Sequence, residues 1–281
     1  MRKALCGLKE AATLVKDGDV LTTGGATFHR APMEFLREII RQGKKDLVLV
    51  DREPAIDFDL LIGAGCVAKV RAGLLAFELL GFAPNFRKKA ESREIITKEG
   101  ACQPIIAGFR AAAMGIPSLT VRGMLGSDLL EISEILGSQR EVEDPFTGEK
   151  LIAVRAIEPD VAVIHAHEAD EYGNTRIEGP VYEDVIKAKA AKTVIVTAEA
   201  IVPNEEFRRK PEATKIPHFL VDAVVHAPNG AYPCSCFNRY DVDYDHIREY
   251  IAAVNNDRFG KYLDEHVYGR AGLWTNSKQR I

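Results

Sequence analysis

The strongest constraint on the fold is an alternation of short apolar runs and longer helical segments along the whole chain. Seven runs of strand length, rich in Val, Ile and Leu, are Asp19–Gly25, Asp46–Asp51, Val67–Leu75, Ser118–Gly123, Asp160–His167, Lys192–Val202 and Leu220–Pro228. Between most of them lie helical patterns, and Pro32–Gly43 and Pro104–Gly115 each begin with proline and end with glycine. Apolar strands separated by helices predict an α/β fold, an open, mainly parallel sheet with helices on both faces.

The chain is long enough for one large domain. Its 281 residues are 46% hydrophobic, which provides for a sizeable core. Charge and turn residues interrupt the rhythm at Gly126–Lys150, so we predict a surface excursion at about residues 127–150 within a single domain spanning 1–281. Residues Asp243–Gly269 predict two amphipathic helices, a C-terminal extension from about residue 243, and the last dozen residues are expected to form a tail.

Charge and composition exclude several classes of protein. The formal net charge is -4, with both signs scattered along the chain, which argues against a nucleic-acid partner. No window approaches the roughly 20 apolar residues needed to cross a bilayer, and the N-terminus is too charged for a signal peptide. We therefore expect a cytoplasmic protein without a membrane segment. The five cysteines are an odd number in a long chain and are expected to be free thiols.

Paired glycines mark the first candidate binding loop. Gly24 and Gly25 follow a strand and precede a helix, so their backbone N–H groups could approach an anion near the partial positive charge of the helix start. The loop lacks the third glycine of G-x-G-x-x-G and has no G-K-[ST], so neither a dinucleotide site nor a P-loop is supported. Arg30 suits a phosphate or carboxylate. Spacing alone leaves a binding loop and a plain tight turn equally open.

A second candidate lies at Thr97–Pro104. Glu99, Cys102 and Gln103 come between a strand-like and a helix-like segment, beyond the carboxyl end of a strand, where ligands gather in open α/β sheets. The position at a helix start predicts a lowered pKa for the Cys102 thiol. The alternative is that Glu99 is a surface charge and Cys102 a buried thiol.

Two further patterns are weak. His165 and His167 would share one face of a strand with Glu168 and Asp170 close behind, a set of atoms that could bind a metal. No further His or Cys stands at a recognisable ligand spacing, and the residues that follow are typical of a turn, so no metal is predicted. The C-x-C motif at Cys234–Cys236 is predicted to be two buried thiols.

Taken together, four segments of the chain resemble a known family. They occur in that family's order and are Asp17–Val50, Arg110–Leu130, Pro159–Pro180 and Ile216–Asp243. The chain resembles the alpha subunit of class I coenzyme A transferases, most closely that of glutaconate CoA-transferase-like enzymes. The extra Ala227–Pro233 and the helices after it point to the glutaconate branch. The resemblance implies the CoA-transferase, or NagB-like, form of the α/β fold.

The resemblance implies an acyl-CoA:carboxylate CoA-transferase that works as a heterotetramer. The chain would form the active-site cleft with a beta subunit, which supplies the nucleophilic glutamate. Glu53 lies near the equivalent place but has no Asn-Gly after it, so we do not assign it as the nucleophile and expect the chain to be inactive alone. A coenzyme A thioester is the expected substrate, with no permanently bound cofactor and no metal. The alternatives are the alpha subunit of a ring-opening acyl-CoA hydrolase of the steroid-degradation type, or a non-catalytic CoA-binding protein.

The resemblance also assigns roles to the binding candidates. Gly24, Gly25 and Arg30 fall on the family's Gly-Gly loop at the subunit interface and are expected to contact the substrate. Gly126 and Ser127 match a loop that lines the same cleft and could donate hydrogen bonds to a carboxylate or thioester oxygen.

The same resemblance places the Thr97–Pro104 segment at the start of the helix that faces the substrate. In hydrolase-like relatives a glutamate of this segment is a catalytic candidate. An ungapped match puts Cys102 at that position and Glu99 one turn earlier, so either could be catalytic. Gln103 is expected to bind the substrate or CoA.

Overall fold

The computed structural model describes residues 3–135 and 137–269, in which strands and helices alternate. The elements are α1 Leu8–Ala12, β1 Val20–Thr23, α2 Met33–Arg41, β2 Leu47–Asp51, α3 Ile56–Gly63, β3 Val67–Ala72, α4 Pro84–Glu91, β4 Ile96–Glu99, α5 Cys102–Ala113, β5 Ser118–Val121, α6 Asp128–Ile135, β6 Gln139–Glu143, β7 Lys150–Arg155, β8 Val161–Ala169, β9 Thr175–Arg176, α7 Asp184–Ala190, β10 Thr193–Ile201, α8 Asn204–Arg209, β11 Ala223–His226, α9 Tyr244–Asn255 and α10 Phe259–Leu263.

The central sheet has eight strands, with seven parallel strands in the order β11-β10-β8-β1-β2-β3-β4 and β9 antiparallel beside β8. The chain order reverses between β8 and β1, where Thr23 pairs with Val163. The fold class predicted from the apolar runs is confirmed. Because the strands are parallel, their carboxyl ends meet at one edge of the sheet, which is where a ligand site is expected.

Alternate residues along the strands enter two apolar layers. On one face Leu21 and Leu49 belong to the main core, to which α2, α3 and α9 contribute. On the other face Val48 and Val50 pack with Phe109 of α5. Because both faces are covered, the strands are apolar nearly throughout, which is why they were recognisable in the sequence.

A second, smaller sheet packs on the outer side of α5. It is antiparallel, in the order β5-β7-β6. The segment predicted as a surface excursion at 127–150 contains α6 and β6, and β6 pairs with β7 over five residues. An edge strand with exposed charges, such as Glu141 beside Lys150 at 2.8 Å, offers no apolar run that would reveal it in the sequence.

The C-terminal helices belong to the main core. The two helices predicted in Asp243–Gly269 are α9 and α10, and Ile247, Tyr250 and Tyr262 pack in the same apolar layer as α2 and α3. The division of residues 1–281 as one domain stays a prediction, and the predicted tail lies outside the residues that the structure describes. Within the described ranges, every helix is too short or too polar to cross a bilayer.

Candidate active-site cleft

The Gly-Gly loop closes around a carboxylate of its own chain. Gly25, in the left-handed region at a φ of 76°, donates its N–H to Asp184 at 3.0 Å. A side chain at Gly24 would collide with the same carboxylate, and the Gly24 N–H bonds to the carbonyl of Val163 at 2.7 Å. The loop therefore does hold a negative charge, as its pattern indicates, but that charge belongs to α7.

Arg30 completes this arrangement. Its guanidinium lies 2.7 Å from the Asp184 carboxylate, and neither side chain is exposed. It also donates to the carbonyls of His165 and Pro180, both at 2.9 Å. The Arg30 charge is buried and neutralised within the chain, and its contact with a substrate charge stays a prediction. Gly24 and Gly25 are buried too, and their N–H groups already donate hydrogen bonds within the chain.

A second buried ion pair fixes the strand ends beside the loop. Lys187 is one turn after Asp184 on the same face of α7 and lies 2.7 Å from Asp51, the last residue of β2. Lys187 also donates to the carbonyl of Thr23 at 2.8 Å. Where the strand order reverses, the sheet edge is thus filled by side chains of α7. The open part of the edge is displaced toward β2, β3 and β4.

A cleft of about 730 Å³ occupies that open part. Its lining residues come from the end of β2, from α5, from β5 and from the β6–β7 hairpin, namely Arg52, Cys102, Gln103, Ile106, Ala107, Arg110, Leu119, Thr120, Val121, Arg122, Asp144, Thr147, Glu149 and Leu151. The start of α5 lies against the end of β3, because a side chain at Gly73 would come within 2.8 Å of the Cys102 backbone nitrogen. The structure thus places Cys102 and Gln103 in one concave site.

The Cys102 thiol is not activated by its position at the start of α5. Burial raises its pKa, and the neighbouring Glu53 carboxylate raises it further, while Arg52 acts in the opposite direction. The predicted lowering of this pKa is therefore wrong. The partial positive charge of the helix start is outweighed by desolvation and by a nearby acid. At neutral pH the thiol stays protonated, so it is a poor nucleophile.

Arg52, a charged residue that no sequence motif singles out, borders the cleft. Arg52 pairs with Glu53 and lies 3.1 Å from Glu183, at the residue before α7. The sequence feature that could have indicated this charged pair is the Arg-Glu dipeptide directly after the β2 run. Glu99 is the last residue of β4, at the same edge of the sheet, and its side chain lies outside what the structure describes.

The predicted Gly126–Ser127 loop lies apart from this lining. Both residues are exposed, in a turn where the Ser127 N–H bonds to the carbonyl of Met124 at 3.1 Å. Among the described residues, neither Gly126 nor Ser127 belongs to the lining of the cleft. Gly123, nearer the cleft, leaves room for Gln103, whose side-chain oxygen would collide with a side chain there.

The two histidines of β8 make internal hydrogen bonds. His165 bonds through one ring nitrogen to Thr197 and through the other to Glu199, both at 2.8 Å. His167 bonds to the carbonyl of Phe237 at 2.9 Å and accepts the N–H of Glu178 at 3.1 Å. Every ring nitrogen of the pair therefore already has a partner within the chain.

The C-x-C motif lies beside these histidines. Cys234 and Cys236 are buried free thiols, as predicted. Although His165, Glu199 and Cys236 hold donor atoms within 4.8 Å of one another, the hydrogen bonds of His165 explain this packing without an ion.

Comparison with known proteins shows which family has this architecture. A family model described as Coenzyme A transferase matches residues 7–227. The chain belongs to the coenzyme A transferase family. The match ends near β11, so α9 and α10 lie beyond the segment that the family model covers.

Relatives of this family cover nearly the whole chain. A protein of Archaeoglobus fulgidus is 38% identical over 275 residues, 97% of this chain but 61% of that protein, so this chain spans about three-fifths of its length. The alpha subunit of glutaconate CoA-transferase from Acidaminococcus fermentans is 37% identical over 278 residues, 93% of this chain and 87% of that polypeptide. The alpha subunit of 3-oxoadipate CoA-transferase from Pseudomonas knackmussii is 34% identical over 270 residues, 94% of each chain. The chain is thus similar to alpha subunits of CoA-transferases.

Two solved structures share the fold. The glutaconate CoA-transferase of Acidaminococcus fermentans superposes with a TM-score of 0.90 at 35% identity, covering 95% of this chain and 89% of that one. A variant of the decarboxylase AibA/AibB superposes with a TM-score of 0.86 at 32% identity, covering 96% of this chain and all of that one. The predicted family and fold are confirmed by these likenesses.

Proposed function

We propose that this chain is the alpha subunit of a heteromeric acyl-CoA:carboxylate CoA-transferase of the glutaconate type. It forms the active-site cleft with a beta subunit, in an α2β2 assembly whose substrates are a coenzyme A thioester and a carboxylic acid. The observation that carries the proposal is the likeness to the glutaconate CoA-transferase alpha subunit over 93% of the chain.

The chemistry requires a free carboxylate as nucleophile, which we assign to the beta subunit. Its glutamate attacks the thioester carbonyl, expels the CoA thiolate and leaves an acyl-glutamyl anhydride. The thiolate then attacks the glutamyl carbonyl, releases the acid and forms a glutamyl-CoA thioester, which an acceptor acid converts by the reverse steps. Glu53 of this chain is ion-paired with Arg52 and followed by proline, which supports an external nucleophile.

The alpha-subunit residues of the cleft would position the substrate. Gln103 is exposed at the start of α5, with amide N–H groups that can donate to a thioester oxygen. We keep Glu99 and Cys102 as candidate catalytic residues. We assign Gly24, Gly25 and Arg30 to supporting the cleft rather than to contacting the substrate, since their polar groups bond within the chain.

The test is reconstitution with the beta-like partner. We expect the co-purified complex to exchange CoA between an acyl-CoA and short dicarboxylic acids, and we expect each separate chain to be inactive. Borohydride added during turnover should reduce the glutamyl thioester and leave a mass change on the beta subunit. A complex that neither transfers, cleaves nor decarboxylates any acyl-CoA would contradict the proposal.

Other outcomes identify the alternatives. Cleavage of acyl-CoA without an acceptor acid would support the hydrolase, and loss of CO2 from the acyl group would support a decarboxylase. A stable homo-oligomer that binds CoA and captures no beta chain would support the non-catalytic binding protein.

In the active complex, Glu99→Ala and Cys102→Ala are compared for turnover. Unchanged rates for both would remove this segment from the catalytic machinery.

A further inference from the structure

A histidine in the first turn of α9 lies beside a carboxylate one turn further along the same helix. His246 and Glu249 are three residues apart, the spacing that places two side chains on one face of a helix. His246 is buried, and its backbone N–H donates to the N-cap residue Asp243 at 3.0 Å. The start of α9 thus holds an imidazole and a carboxylate side by side.

A second imidazole comes to the same place from the turn that follows α10. Asp264–Tyr268 form a π-helical turn. Such turns are rare and often occur at functional sites. Arg41 of α2 donates to the carbonyl of Val267 at 2.8 Å, which holds the turn against the main core. His266 therefore belongs to an anchored turn, and it is buried.

Three donor groups meet between α9 and this π-helical turn. The ligand atoms of His246, Glu249 and His266 all lie within 4.8 Å of one another. The Nε2 atom of His266 is 3.6 Å from a carboxylate oxygen of Glu249. Two ligands of one tetrahedral zinc ion are about 3.3 Å apart when each bond is about 2.0–2.1 Å long. The spacing is therefore close to what one ion requires.

This cluster differs from the one around Cys236 in its access to solvent. In the cluster of His165, Glu199 and Cys236 the carboxylate is enclosed, with 8% of its side chain exposed, and both ring nitrogens of His165 are hydrogen-bonded. Between α9 and the π-helical turn both imidazoles are buried, whereas 58% of the Glu249 side chain is exposed. An ion thus has an entry path, which a metal site requires, and two nitrogen ligands behind it.

The cluster lies away from the proposed active site. α9 and α10 pack on the face of the central sheet that α2 and α3 cover, whereas α5 covers the opposite face. The cluster also lies beyond residue 227, where the match to the family model ends. A ligand bound here therefore has a role separate from the proposed transfer of CoA.

We propose that His246, Glu249 and His266 form a zinc site that links α9 to the turn after α10. Two imidazoles and one carboxylate are a donor set that zinc takes in proteins, with a fourth position left for water. The carboxylate gives the site a negative charge that meets the divalent ion. A bound ion stabilises the folded chain, because ligands from two separate segments come together only in the fold.

The experiment titrates the 281-residue chain with Zn²⁺ by calorimetry, after treatment with a chelator and desalting. We expect one ion per chain and an unfolding temperature that rises with zinc concentration. Glu249→Gln and His266→Asn each remove one ligand. Each should weaken binding by at least about 10-fold, since the loss of even an outer contact costs that much.

The matched control is Glu265→Gln. It removes the same charge from an exposed residue of the π-helical turn that is not part of the cluster, and it should bind zinc as the unmodified chain does. Because Glu249 is largely exposed, its replacement leaves the packed side chains in place. The comparison of Glu249→Gln with Glu265→Gln therefore does not depend on whether His266→Asn folds.

Specified outcomes overturn the inference. Absence of saturable binding, or equal affinity of the unmodified chain and Glu249→Gln, would leave an adventitious ion only. Equal losses in Glu249→Gln and Glu265→Gln would show a general effect of surface charge. Loss of binding in Cys236→Ser, with Glu249→Gln unaffected, would assign the ion to the cluster around Cys236.

Discussion

Asp184 and Arg30 form an ion pair at 2.7 Å with neither side chain exposed, so the Gly-Gly loop is organised around an internal charge. The loop has the sequence pattern of an anion-binding turn because it does bind an anion, the carboxylate of Asp184 in the same chain. Its anion is the first residue of α7, which fixes the ends of the central strands. The binding cleft consequently lies to one side, along α5.

Removing one partner of this pair should strongly destabilise the fold. Asp184→Ala leaves the Arg30 guanidinium buried and uncompensated, and we expect a loss of about 3–5 kcal/mol in the free energy of unfolding, measured with urea. Asp184→Asn keeps an acceptor and should lose less. Glu91→Ala breaks the exposed pair with Arg87 and should change little, as the control. An Asp184→Ala loss no larger than that of the control would contradict the buried arrangement.

Two glycines with the same backbone conformation should respond differently to alanine. Gly25 and Gly65 have φ values of 76° and 79°, but a side chain at Gly25 would collide with the carbonyl of His29, while the space at Gly65 is open. Gly65→Ala should cost about 1 kcal/mol from strain alone. Gly25→Ala should cost more because the loop must also move. Equal shifts of the urea midpoint would show that the loop is not tightly packed.

The stability of the protein should depend on pH through Asp59. Burial raises the pKa of this carboxyl to about 6, against the hydrogen bonds from Tyr250, Phe86 and Asn85 that favour its charged form. Its ordinary pKa is 3.8, so between pH 4 and 6 the folded form binds more protons than the unfolded form. The free energy of unfolding contributed by this group therefore falls as pH rises through that window.

Asp59→Asn removes this titration and serves as the reference. Between pH 4 and 7 the unmodified protein should lose about 2–3 kcal/mol relative to the variant, in urea unfolding measured at each pH. The lost hydrogen bonds shift the variant by a constant amount, so the slopes are compared. Parallel curves would show that Asp59 does not titrate in this range.

The Cys102 thiol should react slowly with alkylating reagents at neutral pH. Its pKa is raised by burial and by Glu53, so the thiolate fraction is small at neutral pH and iodoacetamide labelling should become fast only in alkaline solution. Glu53→Gln removes the nearby acid and should speed labelling at pH 8. Peptide mass spectrometry measures this in a Cys6→Ser background. Fast labelling at pH 7, or no response to Glu53→Gln, would count against the described environment.

The sequence by itself determined the α/β class, the central strands and the α2 and α5 helices. These elements are buried on one or both faces, so their burial is visible as uninterrupted or periodic apolar residues. It also determined the family, because ordered motifs survive where the fold constrains them. Of the small sheet only β5 was visible as an apolar run, and β6 was missed since it is an exposed, charged edge strand.

Only the tertiary structure decided which candidates share a site. A guanidinium after a glycine loop looks the same in sequence whether its partner is a substrate or Asp184, which is 154 residues away in the chain. The pKa of Cys102 likewise depends on desolvation and on Glu53, which no helix position reveals. Arg110 carried no motif, and the fold places it in the lining of the cleft with residues of β5 and β7. Charges and thiols acquire their roles from neighbours distant in the chain, and the fold alone brings those neighbours together.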